Sequence, residues 1–129
     1  MIVGLGTDII DVHRIRELWE DHPDGLKRRV FTDLEFQYCS SKAHPEEHLA
    51  ARFAVKEAAL KAFGTGWAKG LGFSDIEVVN NEDGKPSLIL HGEAKATAQK
   101  MNVTDIHVSY SHTPQSATAT VILESVSTA

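Results

Sequence analysis

The chain is poor in cysteine and short of positive charge, and each shortage closes off a class of function. Cys39 is the single cysteine in 129 residues, so no internal disulfide can form. No run of about 18 apolar residues occurs, and no charged segment followed by an apolar leader opens the chain. A soluble protein in a reducing, cytoplasmic setting is expected. Lysine and arginine number 13 against 18 acids, giving a net charge of −5. A general nucleic-acid binder needs a large cationic surface to displace counterions, so that class is excluded, and any polyanionic partner must meet a local basic patch. Internal repeats, low-complexity tracts and linkers are also missing. At 42% apolar residues, what remains reads as one domain, residues 1–129, large enough to bury a core without covalent or metal staples.

Met1 to Ile10 is an apolar run that reads as a buried strand, and alternation places Gly4, Gly6 and Asp8 on one face. Two missing side chains would leave space beside the carboxylate, or would mark close strand–helix packing. Residues 13–40 carry a helical stripe broken at Pro23-Asp24-Gly25, which predicts two short helices. His44 precedes Pro45, and Glu46 and Glu47 suit the positive end of a helix predicted to run to Phe63 and stop at Gly64. Residues 64–72 then hold four glycines, a loop composition that can bring backbone amides close to a phosphate. Ile76–Val79 and Leu88–Leu90 flank a polar tip and read as a hairpin, Glu93–Met101 as a helix, and residues 106–110 and 117–123 as a second hairpin. The sum is an α+β fold, with a largely antiparallel sheet of about five strands packed by four or five helices.

Glu57 and Lys61 stand one helical turn apart, so a carboxylate and an ammonium project side by side. Alone, such a pair is an ordinary helix ion pair. With Asp8, it supplies the one or two carboxylates that magnesium uses when water and substrate phosphates complete its shell. A lysine beside such a metal can neutralise charge on a transferring phosphate. His44 and His48 are also one turn apart, but the order His-Pro-Glu-Glu-His lacks the second-place glutamate of a zinc metalloprotease helix, and a helix N-terminus explains it. Trp19, Trp67, Phe31, Phe36, Phe53, Phe63 and Phe73 read as core aromatics, with Phe53, one turn before Glu57, placed at the ligand cleft.

Three blocks carry a family resemblance: Leu5-Gly6-Thr7-Asp8-Ile9; Arg52-Phe53-Ala54-Val55-Lys56-Glu57-Ala58 with Lys61-Ala62-Phe63-Gly64-Thr65-Gly66; and Gly84-Lys85-Pro86. Together they resemble the signature blocks of holo-acyl-carrier-protein synthases, the short class of 4′-phosphopantetheinyl transferases. The similarity spans essentially the whole chain and is loosest at residues 17–45. It implies transfer of 4′-phosphopantetheine from coenzyme A to a serine of an acyl carrier protein, free or part of a larger synthase, for fatty-acid biosynthesis, releasing adenosine 3′,5′-bisphosphate. It further implies that Asp8 and Glu57 hold Mg²⁺ against the coenzyme A diphosphate and that Lys61 stabilises charge as the bridging bond breaks. The serine is a poor nucleophile at neutral pH, so Glu57, Asp8 or a metal-held water must take its proton.

Arg52 lies five residues before Glu57, about 140° around the helix, and cannot aim at the same metal. By resemblance it meets the nucleotide, whose 3′-phosphate suits a guanidinium fork. Gly64, Thr65, Gly66, Gly84, Lys85, Pro86, His112 and Thr113 also match ligand-contacting places in similar proteins. Carrier proteins are acidic. Screening confines long-range repulsion to about 8 Å, so a basic cluster holding Arg14 and Arg28 could still dock one. The resemblance implies a homotrimer with an active site at each interface. Two rivals use the same acids or pocket: a Mg²⁺-dependent pyrophosphohydrolase of coenzyme A, and a non-catalytic coenzyme A sensing module.

Overall fold

The computed structural model describes residues 1–64 and 71–126. In chain order these form β1 (Ile2–Asp11), α1 (Val12–Asp21), α2 (Pro23–Arg29), α3 (Asp33–Ser40) and α4 (Pro45–Phe63). A 3₁₀ turn (Phe73–Asp75) then leads to β2 (Ile76–Asn80), β3 (Pro86–Leu90), α5 (Gly92–Lys100), β4 (Asp105–His112) and β5 (Ser116–Glu124). The α+β plan holds. Its five strands divide into an antiparallel three-stranded sheet, ordered β1-β5-β4, and an antiparallel hairpin, β2-β3.

Helix α4 is the axis of the molecule. Pro45 opens it where a missing N–H costs nothing, and Gly64 closes it at φ +75°, in the left-handed region where glycine carries no Cβ penalty. Its residues are buried nearly all round, with Ala50, Ala51, Ala54, Ala58, Ala59 and Ala62 among them, as befits a helix covered on more than one side. It packs on β1 and β5 and is flanked by α1, α3 and β2. Gly4 and Gly6 permit the contact with β1: a Cβ on Gly4 would stand 2.2 Å from the Ala62 carbonyl oxygen, and one on Gly6 would stand 1.8 Å from that of Ala58. Close packing is therefore what these glycines provide, and the helix backbone fills the space that the sequence left open beside Asp8.

Two expectations need correction. The segment 13–40 forms three helices rather than two, because Thr32 starts a new one with a capping box: its hydroxyl accepts from the Glu35 N–H while the Glu35 carboxylate accepts from the Thr32 N–H. The first strand is buried on one face only. β1 is a sheet edge, and with no described residue covering its outer face Leu5 is 57% and Ile9 71% exposed.

A buried ion pair locks α3, α4 and the start of β2 together. The Lys56 ammonium donates to Glu35 Oε1 (2.7 Å) and to the carbonyls of Phe73 (3.0 Å) and Ile76 (2.5 Å), which uses all three of its hydrogens. Glu35 Oε2 accepts from the Val78 N–H at 2.8 Å. Burial pulls the ammonium below its ordinary value, and the Glu35 carboxylate opposes that pull.

Candidate active site

Asp8, Glu57 and Lys61 come together where β1 crosses α4. Asp8 sits opposite Ala119 in the β1–β5 register, and its Oδ1 accepts from Lys61 Nζ at 3.1 Å. The same ammonium donates to the Thr7 carbonyl at 2.9 Å. Glu57 is half-buried, and its carboxyl is raised above the usual range, first by desolvation and then by the Asp8 charge, with Lys61 and Arg14 pulling the other way. The two carboxylates thus lie near enough for the Asp8 charge to act on Glu57, with the cations of Lys61 and Arg14 acting on it in the opposite sense.

This arrangement fits a hard divalent cation. The donors are carboxylate oxygens, and their mutual repulsion is the tension that a bound dication removes. Among the described residues no cluster of three or more histidine, cysteine, aspartate or glutamate side chains forms a metal cage. Magnesium does not require one, because substrate phosphates and water complete its shell. Arg14, which the sequence suggested for partner docking, is placed by the structure near enough to Glu57 to act on its charge.

A second constellation lies toward the start of α4. Arg52 is 1% exposed, which excludes an ordinary surface arginine. Its Nη2 donates to Asn80 Oδ1 at 2.6 Å, and its guanidinium lies 4.3 Å from the centre of the Tyr38 ring. Among the described residues, its Nε and Nη1 have no hydrogen-bond partner. Asn80 also donates to the Gly84 carbonyl (3.0 Å) and the Tyr110 hydroxyl (2.9 Å), so the tip carrying Gly84, Lys85 and Pro86 is tied to the arginine. The Lys42 ammonium lies 4.4 Å from the Tyr38 ring centre. His112, at the end of β4, contacts Glu47 Oε1 through Nδ1 at 3.1 Å and meets the His48 ring at 5.0 Å between centroids. The Thr113 hydroxyl builds its own turn by accepting from the Gln115 and Ser116 N–H groups.

Not every sequence candidate joins these groups. Phe53 packs against Phe73, ring centres 5.2 Å apart, as a core aromatic. Arg28 lies on α2 beside Asp24, Lys27 and Asp33, a face of mixed charge. Gly64 caps α4, while Thr65, Gly66 and Trp67 lie outside the described residues. A cleft of about 810 Å³ runs between α1, α2 and the 3₁₀ turn, with Leu18, Leu26 and Phe73 in its wall. It includes neither Asp8 nor Glu57, and Asp21, His22, Asp24 and Arg29 share its wall with the apolar residues. Sequence reasoning missed Tyr38, Asn80, Tyr110 and the Glu47–His112 contact. Lys56 and Glu35 had a legible signal: charged residues on faces otherwise filled with core side chains.

Comparison with known proteins is consistent throughout. A family model described as the 4′-phosphopantetheinyl transferase superfamily matches residues 4–121. The chain is 49% identical over 124 residues to a holo-[acyl-carrier-protein] synthase of Enterobacter sp. (strain 638), covering 96% of this chain and 98% of that protein. A Geobacter metallireducens protein of the same name is 46% identical over 126 residues, covering 98% of this chain and all (100%) of that one. The Neisseria meningitidis holo-[acyl-carrier-protein] synthase superposes with TM-score 0.87 at 30% identity, covering 96% and 99% of the two chains. The Bacillus anthracis counterpart, solved in complex with CoA (3′,5′-ADP), gives 0.79 at 38% identity over 98% and 99%.

Proposed function

The chain belongs to the 4′-phosphopantetheinyl transferase superfamily, and we propose that its Asp8–Glu57–Lys61 cluster is where the reaction takes place. The reaction moves 4′-phosphopantetheine from coenzyme A to a serine hydroxyl of an apo acyl carrier protein, serving fatty-acid biosynthesis. The serine oxygen forms a bond to the phosphorus that bears pantetheine, the bridging P–O bond breaks, and adenosine 3′,5′-bisphosphate leaves with its electron pair. The serine proton passes to a carboxylate or water of the site.

The observation that carries the assignment is the Lys61–Asp8 contact beside a Glu57 whose carboxyl is raised. Asp8 and Glu57 would hold Mg²⁺, which when bound supplies Lewis-acid polarisation of the diphosphate oxygens. Lys61, half-exposed at the end of α4, presents its ammonium to the same oxygens and offsets charge as the bridging bond breaks. Arg14 adds a second cation at the margin, where an acidic carrier protein would approach. Arg52, with two buried donors that no described residue partners, and the His112 group form the nucleotide end. Gly84, Lys85 and Pro86 lie beside that end through Asn80.

A homotrimer with interface sites is part of the same proposal. The uncovered outer face of β1, with Leu5 and Ile9 exposed, is the kind of apolar surface that a second copy buries. No helix among the described residues is long and apolar enough to cross a membrane, and we place the enzyme in the cytoplasm with its carrier.

The test is intact-protein mass spectrometry of an apo acyl carrier protein incubated with the enzyme and coenzyme A, with Mg²⁺ and then with chelator. The expected result is a gain of one phosphopantetheine, lost with chelator and abolished in Asp8→Ala and Glu57→Ala proteins that keep their circular dichroism. Wild-type rates in either variant would sink the site assignment. Coenzyme A cleaved without carrier would point to hydrolysis, and binding without chemistry to a sensing module.

A further inference from the structure

The group at the start of α4 contains one acid among cations. Lys42, Arg52 and His48 meet the Tyr38 ring, His112 meets His48, and among the described residues the only carboxylate bonded into the group is Glu47, through His112. An acid beside an anion-binding cluster repels its ligand unless it has another task. A carboxylate only accepts hydrogen bonds, so the His112 nitrogen facing it, Nδ1, carries a hydrogen, and Nε2 is the ring nitrogen left for another partner. A phosphate oxygen also only accepts. A His112 ring held between Glu47 and a phosphate therefore carries hydrogens on both nitrogens and a full positive charge.

His48 makes this arrangement selective for one ring. It stands 5.0 Å from His112, too close for both to be charged at little cost. Burial is the first cause holding His48 below its ordinary value, and His112, Lys42 and Arg52 add to it, against a smaller opposing pull from Glu47. Of the two imidazoles, His112 is the one in contact with a carboxylate.

We propose that Glu47 is a positioning residue that fixes the orientation and tautomer of His112, and that it thereby sets the preference for a nucleotide bearing a ribose phosphate. This rests on the reading that the His112 group meets the nucleotide end of coenzyme A. Glu47 does not touch the ligand. It acts through the ring.

The experiment compares kcat/KM for coenzyme A and for 3′-dephospho-coenzyme A, using full-length wild type, Glu47→Gln and Glu47→Asp with the same carrier protein. The wild type is expected to prefer the 3′-phosphorylated ligand. Glu47→Gln is expected to reduce that preference about tenfold, through the KM for coenzyme A rather than kcat, as loss of a charge-assisted contact implies. Glu47→Asp should restore part of it. General damage to the fold lowers both substrates together and leaves the ratio unmoved. In parallel, ¹⁵N–¹H correlation of the ring nitrogens should find Nδ1–H as the His112 tautomer in wild type and a mixture in Glu47→Gln. A wild-type preference retained in Glu47→Gln would overturn the role given to Glu47. No preference in the wild type would overturn the placement of the nucleotide, and the inference with it.

Discussion

Gly6→Ala is the most demanding substitution that this structure proposes, because one methyl group would meet backbone on a helix that cannot yield locally. The new Cβ would lie 1.8 Å from the Ala58 carbonyl oxygen and 2.8 Å from the Ala62 nitrogen, against 3.4 Å for ordinary contact. Helix α4 and β1 must therefore separate by about 1.6 Å at that point. Asp8 lies two residues along β1, and Glu57 and Lys61 adjoin the two alanines on α4. The 3.1 Å Lys61–Asp8 contact would stretch beyond hydrogen-bonding range. Overpacking of this kind costs about 1–3 kcal/mol, which for a chain of this size lowers the thermal midpoint by roughly 3–15 °C. Misplacing reacting groups by ~1 Å costs roughly a hundredfold in rate. Circular dichroism melts and the carrier-protein mass assay, run well below the midpoint, should show both losses. Gly25→Ala is the control. Its nearest neighbour would be His22 Cβ at 3.8 Å, and it lies inside α2, so the gain in helix propensity should stabilise it by ~0.5–1 kcal/mol. A Gly6→Ala protein with wild-type melting and rate would refute the close-approach argument.

Three further outcomes follow from the same structure. Lys56→Met leaves the buried Glu35 carboxylate without its cation and should cost roughly 3–5 kcal/mol in urea unfolding; a loss under 1 kcal/mol would show that the pair is not a structural lock. The Glu77 carboxyl is held below its ordinary 4.5 chiefly by the Thr32 hydroxyl, with His91 adding to it. A folded value below the unfolded one gives stability that is present above about pH 4.5 and lost as the pH falls through the folded value; Glu77→Gln should flatten the acid limb of an unfolding titration, and an unchanged limb would refute it. Replacing exposed Leu5 and Ile9 by lysine should convert the proposed trimer to monomer in sedimentation equilibrium and lower transfer activity, whereas an intact trimer would remove β1 from the interface.

Helix α4 is legible in the sequence because its ends carry strong local chemistry, Pro45 at the first position and Gly64 just past the last. The two hairpins are legible from alternation and from the polar tip at residues 80–86. Breaks depending on one side chain are harder: Thr32-Asp33-Leu34-Glu35 is a capping box, but the apolar stripe running across it hides the boundary. The acid pair is readable only through motif resemblance, since Asp8 and Glu57 lie far apart in the chain and periodicity says nothing about which strand meets which helix. Asn80 and Glu47 are invisible for another reason. Each sits where its local pattern already explains it, a hairpin end and a helix start, and only tertiary contact gives it a further role.

The six buried alanines of α4 have a consequence for motion. Alanine has no side-chain rotamer to exchange, so the seam between this helix and β1, where Ala58 and Ala62 meet the backbone at Gly6 and Gly4, has few ways to rearrange on the picosecond-to-nanosecond scale. Changes in the backbone separation of Asp8 from Glu57 must then come from displacement of whole elements, which is slower and rarer. Order parameters for the Ala58 and Ala62 methyl groups should therefore be among the highest in the molecule.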